Sequence, residues 1–201
     1  MYLQLLMVIS FVIAGYQDIK DRLVSDIVWV PAIVGVAISF YFLRADWIFL
    51  ALEIGLMGGL ALFITYFGFV GQADGIGFVL LVGGTIPFGL IPTLIAVAAV
   101  VAAHIGYLYL SGQVGKPKVI PLSQFKKQPN WIPKAVIVGE KRTAVDNDVN
   151  VSREAVGAVT DENAMVEVQY GVPTVAYLAA GYVIYIVYLA IFQPGTILNL
   201  P

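Results

Sequence analysis

Gly15-Tyr16-Gln17-Asp18-Ile19-Lys20-Asp21-Arg22-Leu23-Val24-Ser25-Asp26 is the first polar break in a chain whose first half is otherwise almost uniformly apolar. It sets a carboxylate, Asp18, where an apolar helix gives out. A second isolated acid, Asp74 in Gly71-Gln72-Ala73-Asp74-Gly75, follows 56 residues later at another such break. Whether these two acids meet decides what the chain can do.

The 201 residues are 60% hydrophobic and only 12% charged, with a mean hydropathy of +0.89. A soluble domain is usually about 25% charged, so the composition is that of an integral membrane protein. Residues 1–110 hold three basic residues, Lys20, Arg22 and Arg44, and the other eight fall in 111–170 beside seven acids. So balanced a segment reads as a small folded extramembrane domain and argues against a nucleic-acid partner. There is no cysteine, which excludes disulfides, thiol nucleophiles and thiolate-bound metals. One histidine, His104, excludes a site built on two imidazoles. No metal and no cofactor are expected. The N-terminus has no basic run before its apolar stretch, so residues 1–15 read as a retained span and not as a cleaved leader.

A bilayer core of about 30 Å takes roughly 20 helical residues. On that measure the chain is expected to be an all-α polytopic membrane protein of about six transmembrane helices. The first covers residues 1–16. The second covers 27–43, with Ser25 or Asp26 to cap it and Pro31 in its first turns. Arg44-Ala45-Asp46 makes a turn, and 47–70 is a third span with Gly55 and Gly59 as a close-packing face. Gly83-Gly84, Pro87, Gly89 and Pro92 split the next run into a short helix at 75–85 and a full one at 89–110, and 172–193 is the last. Basic residues mark cytoplasmic loops. Lys20 and Arg22 and the Lys-rich 116–142 region are then both inside when four crossings separate them.

The expected organisation is a membrane domain over 1–111, a soluble cytoplasmic insert over 112–170, and a final span with its tail over 171–201. In the insert, Val119-Ile120, Ala135–Val138, Val149–Val151 and Val166–Val168 are short β-branched runs. Gly139-Glu140, Asp146-Asn147-Asp148 and Asp161-Glu162-Asn163 separate them, and a small antiparallel sheet is expected.

Two spans between Asp18 and Asp74, one out and one back, put both acids at the same cytoplasmic face. An acid at membrane depth costs roughly 2.5–3.5 kcal/mol on insertion scales, which makes each a functional candidate. Two carboxylates brought together cannot both ionise easily, and the pair titrates as a unit. Such a pair can hydrolyse a peptide bond with water alone. The charged acid takes a proton from the water, and the neutral one hydrogen-bonds or protonates the scissile carbonyl. The plain alternative is that each merely solvates a helix end, and Asp21 and Asp26 are left with that role.

The stretch Asp18-Ile-Lys-Asp-Arg22-Leu-Val24-Ser25-Asp26 resembles the first motif of the type IV prepilin peptidases, an aspartate followed by a basic residue and a helix-opening Val-Ser-Asp. Gly71-Gln72-Ala73-Asp74 resembles their second motif, Gly-x-Gly-Asp. The order, the separation and Tyr170-Gly171-Val172-Pro173 leading into the last helix are similar to the preflagellin peptidases of archaea. The resemblance implies a membrane-embedded aspartyl endopeptidase with Asp18 and Asp74 catalytic and Arg22, Ser25, Asp26, Gly71, Ala73 and Gly75 in support. It implies removal of the short basic leader of a preflagellin or prepilin-like precursor at the cytoplasmic side of the cell membrane. Ala73 stands where that motif has its second glycine, and Gly75-Ile76-Gly77 stands where bacterial members often carry a lysine. The Cys-rich zinc segment and methyltransferase activity of bacterial members have no counterpart here.

The other ionisable candidates read more simply. His104 is expected as a buried histidine bonded to a backbone carbonyl or hydroxyl, Glu53 as a group lining the bundle or reaching outward, and Lys116, Lys118, Lys126 and Lys127 as a positive loop near lipid headgroups. The competing function is a small proton- or cation-coupled transporter using Asp18 and Asp74, against which both acids lie at one surface and not at the midplane. A presenilin-like protease would share the Gly-x-Gly-Asp idea, but no Pro-Ala-Leu follows in the later helices.

Overall fold

The computed structural model describes residues 2–42, 47–66, 71–85, 89–112, 117–128, 131–145, 149–161 and 163–192. In chain order the described elements are α1 (Tyr2–Asp21), a 3-10 turn (Asp26–Trp29), α2 (Val30–Phe42), α3 (Trp47–Tyr66), α4 (Gln72–Gly84) and α5 (Leu90–Leu110), followed by β1 (Lys118–Pro121), the single turn α6 (Leu122–Phe125), β2 (Trp131–Val138), β3 (Lys141–Ala144), α7 (Val149–Gly157), β4 (Met165–Tyr170) and α8 (Thr174–Phe192). They divide into two compact units, one of residues 1–19, 23–103 and 173–201, the other of residues 20–22 and 104–172.

The expectation of an all-α chain with about six transmembrane helices is not met. Among the described residues two helices are long and apolar enough to cross a membrane, Leu90–Leu110 and Thr174–Phe192; the antiparallel sheet expected within 112–170 is present, with four strands. The physical reason lies in helix length. α2 and α4 have 13 residues each, about 20 Å at ~1.5 Å per residue, short of a ~30 Å hydrocarbon core. α1 is 20 residues long but carries Gln4, Ser10, Gln17, Asp18, Lys20 and Asp21. In α3 the described apolar stretch is Ile54–Phe63. Composition alone reads these runs as spans, whereas the apolar helices within them are shorter. Arg44-Ala45-Asp46 lies outside the described residues.

The helical unit is held by one core of Met7, Phe11 and Ala14 from α1, Trp29 and Ala32, Leu80 and Leu81 from α4, and Val175, Leu178, Ala179 and Tyr182 from α8. Phe11 meets the edge of Trp29 at 5.5 Å and the ring of Tyr182 at 5.4 Å. The buried positions of α1 (Gln4, Met7, Phe11, Ala14 and Asp18) alternate steps of three and four, the spacing of one helix face. Its outward positions are apolar too: Leu5, Ile9, Val12, Ile13 and Ile19 are exposed, as are Ile33 and Val34 of α2 and Leu52, Leu56 and Leu60 of α3. So wide an apolar exterior is foreign to a soluble monomer and suits lipid.

Two expected local features differ. Ser25 is the cap residue of the 3-10 turn but makes no side-chain cap bond. The N–H of Ala32, in the first turn of α2, instead donates to Ser10 Oγ of α1 at 3.0 Å, so the acceptor comes from another helix. Gly55 and Gly59 have nothing within 4 Å of where a side chain would begin, so among the described residues they pack against no other element.

The second unit contains the sheet, in the order β1-β4-β2-β3. Val166 and Val168 of β4 face the buried side with Leu122, Phe125, Val136, Val156 and Ala164. β2 is an interior strand yet contains Pro133, and its register shifts between Pro133 and Ala135. A residue without an N–H sits at such an irregularity because the ladder bond it cannot make is skipped there. Asp161 closes the turn before β4 by accepting the N–H of Asn163 on Oδ1 at 2.9 Å. The Val149–Val151 run, expected as strand, opens α7. Ser152 and Val156, four residues apart, are both buried, so a helical stripe prevails over local β propensity. Asp146-Asn147-Asp148 lies outside the described residues.

Candidate functional site

Asp18 continues the buried stripe of α1 and is only 7% exposed, whereas its neighbours Ile19 and Lys20 are exposed. Gly15, one turn earlier on the same face, lets α1 and α8 approach: a β-carbon there would lie 3.0 Å from Ala179 Cβ and 3.2 Å from Ala176 Cα. That approach delivers Asp18 to the start of α8, where Ala176 N–H donates to Asp18 Oδ2 at 3.1 Å. Ala176 is the third residue of α8, one of the amides with no partner inside its own helix. The positive end of a helix also favours a carboxylate.

Asp74 is the third residue of α4 and half-buried. It reaches back so that Gly71 N–H donates to Asp74 Oδ2 at 3.1 Å. This is half of a capping box; the other half is absent because Gly71, the cap residue, has no side chain. Ala73 packs against the shared core. Gly75 is needed for space: a β-carbon there would lie 2.7 Å from Thr65 Oγ1 of α3.

Close packing sets the level of the two acids. A β-carbon on Gly84, at the end of α4, would collide with the methyl group of Met7, near the start of α1. Gly77, seven residues earlier on α4, leaves room for Leu178 of α8 and Trp29, with a β-carbon there 3.3 Å and 3.2 Å from them. α1 and α4 therefore run antiparallel and both climb to the first turns of α8. Met7 and Asp18 are eleven residues apart and Gly84 and Asp74 ten. At ~1.5 Å per residue both acids lie about 15–17 Å from the Met7–Gly84 contact, in one layer at one end of the helical unit.

The remaining motif residues are more peripheral. Ser25 N–H donates to Gln17 Oε1 at 2.9 Å, fastening the loop back to α1, and Asp26 is exposed at the start of the 3-10 turn. Arg22 belongs to the second unit; its backbone is left-handed, with φ 58, and its guanidinium lies 5.8 Å from the Tyr170 ring centroid. His104 is half-buried and stacked on Tyr107 at 6.4 Å. The Glu53 side chain and Lys116 lie outside the described residues. Among the described residues no group of three or more His, Asp or Glu could hold a metal ion.

Sequence reasoning missed Ser10, Gly15 and Gly84, which set the packing beneath the acids. Gly15 and Gly84 were visible as glycines inside or ending apolar helices, a signal of close approach. Compared with family models, with curated proteins and with solved structures, the chain finds no match.

Proposed function

We propose that Asp18 and Asp74 are the catalytic pair of an aspartyl endopeptidase working at the cytoplasmic face of the cell membrane. Its substrates are preflagellin-like or type IV prepilin-like precursors, from which it removes the short basic leader. The observation that carries this reading is the common layer of the two acids, one held at the first turn of α8 and the other in the first turn of a helix packed on α8. Support comes also from the motif resemblance and from the apolar exterior, which suits a lipid setting.

In this mechanism one acid is ionised and takes a proton from the attacking water while the other donates to the scissile carbonyl oxygen. The tetrahedral intermediate then collapses with proton return to the leaving amine. Each carboxylate is anchored through Oδ2 by a backbone N–H, which fixes its orientation without neutralising it. The substrate leader is basic, so the acids, with Asp21 and Asp26 nearby in sequence, are electrostatically matched to it.

The test is cleavage of a leader-bearing precursor by purified protein in membranes. Asp18→Asn and Asp74→Asn each keep the shape of the site and abolish proton sharing. Full cleavage by either variant removes the assignment. Proton-coupled flux in liposomes with no cleavage of any leader favours the transporter instead.

A further inference from the structure

We propose that the Thr65 hydroxyl is a substrate contact, donating a hydrogen bond to a backbone carbonyl of the peptide held beside Asp74. The inference rests on the endopeptidase reading above and adds a third polar group to that site. Hydroxyls in apolar helices commonly turn back on a carbonyl one turn earlier, and three in this chain do so. Thr85 Oγ1 donates to the Leu81 carbonyl oxygen at 2.9 Å, Thr93 Oγ1 to that of Gly89 at 2.7 Å, and Ser111 Oγ to that of Leu108 at 3.0 Å. Thr65, in the last turn of α3, behaves differently. Its Oγ1 is shielded from solvent and has no hydrogen-bond partner among the described residues.

The position of that hydroxyl is fixed by Gly75, the residue after Asp74. A β-carbon on Gly75 would lie 2.7 Å from Thr65 Oγ1, 3.8 Å from the Ala61 carbonyl oxygen and 3.9 Å from Thr65 Cβ. The hydroxyl is therefore nearer to α4 than the carbon that bears it, although the carbonyl of its own preceding turn is close by. Consecutive α-carbons are ~3.8 Å apart, so Oγ1 lies within about 8 Å of the Asp74 α-carbon. This places it in the layer of the two acids. Tyr182 also has a buried hydroxyl without a partner, but it lies six residues along α8 from Ala176 and is sealed in the core against Phe11.

A shielded hydroxyl without a partner works against folding, and valine would fill the same volume without that cost. Such a group beside a reacting acid is explained by a partner that arrives with the substrate. The unmet need of a hydroxyl is an acceptor for its O–H. A peptide extended for hydrolysis offers one, because its carbonyls no longer serve a helix of their own. Gly75, without a side chain, leaves room for that backbone to come close. The same hydrogen bond would hold the chain in register over the acid pair.

The experiment measures kcat and KM for a precursor of basic leader and apolar helix, using the full chain in membranes, beside thermal unfolding in detergent. Thr65→Val keeps the shape and removes the hydroxyl. It should unfold at the same temperature as the parent or higher, yet cleave with kcat/KM lowered about tenfold, the upper range for one neutral hydrogen bond. The loss should fall mainly on KM, as for a contact made already in the bound substrate. Thr65→Ser restores the O–H and should recover most of the loss. The pH profile of kcat should not move, because the acid pair sets it and the hydroxyl acts on the peptide. Parental kcat/KM in Thr65→Val overturns the proposal, as does a loss that Thr65→Ser fails to repair or that follows a fall in unfolding temperature. A shifted pH profile overturns it too, by assigning the hydroxyl to Asp74. Inactive Asp18→Asn and Asp74→Asn beside a fully active Thr65→Val would sink this inference alone. No cleavage by the parent would sink the endopeptidase reading and this inference with it.

Discussion

Met7 and Gly84 are packed so closely that a β-carbon on the glycine would lie 3.1 Å from the methionine sulfur and nearer still to its methyl group. This contact, between helices 77 positions apart in the chain, is the datum from which both acids are levelled. Gly84→Ala should therefore push α1 and α4 apart and lower leader cleavage as well as stability. The methionine end is flexible, so a cost of about 1–2 kcal/mol is expected, at the milder side of overpacking. Gly55→Ala, with open space around it, should be neutral or stabilising by up to about 1 kcal/mol from helix propensity. Thermal unfolding in detergent compares the two.

Removing the acids should separate chemistry from architecture. Asp18→Asn retains an oxygen for the Ala176 amide and should unfold within about 1 kcal/mol of the parent, yet lose leader cleavage by about 10²-fold to 10⁴-fold, the usual contribution of a general acid or base. Asp18→Ala leaves a helix-start amide without its acceptor and should cost about 1–3 kcal/mol in addition. Stability from thermal unfolding and rates from single-turnover cleavage give the two readouts.

Ser10→Ala should destabilise by about 1–2 kcal/mol, because the Ala32 amide then loses its cap acceptor. Ser25→Ala should stay within about 0.5 kcal/mol, since Ser25 makes no cap bond through its side chain and such surface changes are usually near neutral. Paired unfolding curves would expose a reversed order.

Gly75→Ala places a β-carbon against Thr65 Oγ1 and should cost about 1–3 kcal/mol. Adding Thr65→Ala should recover part of that loss. A double-mutant cycle with a coupling near zero would mean that the two positions do not share the space.

Arg142 bonds Glu167 on the sheet surface, and that hydrogen bond is the main cause holding Glu167 below the ordinary glutamate value of about 4.5. A depressed folded pKa means that the pair stabilises above the unfolded value and that this contribution is lost as the pH falls through the folded one. Glu167→Gln should accordingly flatten the acid limb of the unfolding profile below pH ~4.5 and leave neutral stability little changed, as measured by circular dichroism of the sheet. High salt should shrink the difference.

Much of this was legible along the chain, and the failures have a common cause. The break between α4 and α5 followed from Gly83-Gly84 and Pro87, and three of the four strands followed from β-branched runs. Asp18 was singled out from Asp21 and Asp26 by the parity of the spans and the motif resemblance; that it extends the buried Met7, Phe11, Ala14 stripe is a finding of the structure. The six spans failed because composition measures how apolar a run is and not where it turns. The parity of those spans, which had put Asp18 and Asp74 on one side, lapses with them; antiparallel packing of α1 and α4 puts the acids at one end instead. Ser10 as the partner of Ala32, and Gly84 as the seat of Met7, depend on which helices touch, which no local spacing encodes. Val149–Val151 went to helix because a buried Ser152–Val156 face needed β2 more than the valines needed a ladder.

The hydrogen bond between Asp18 and Ala176 joins residues 158 positions apart. A chain emerging from the ribosome makes Asp18 158 residues before Ala176 and must hold it without that partner until the start of α8 has been synthesised. The acid's orientation is thus set only once the start of α8 exists, and chains stopped before it lack the Asp18–Ala176 anchor.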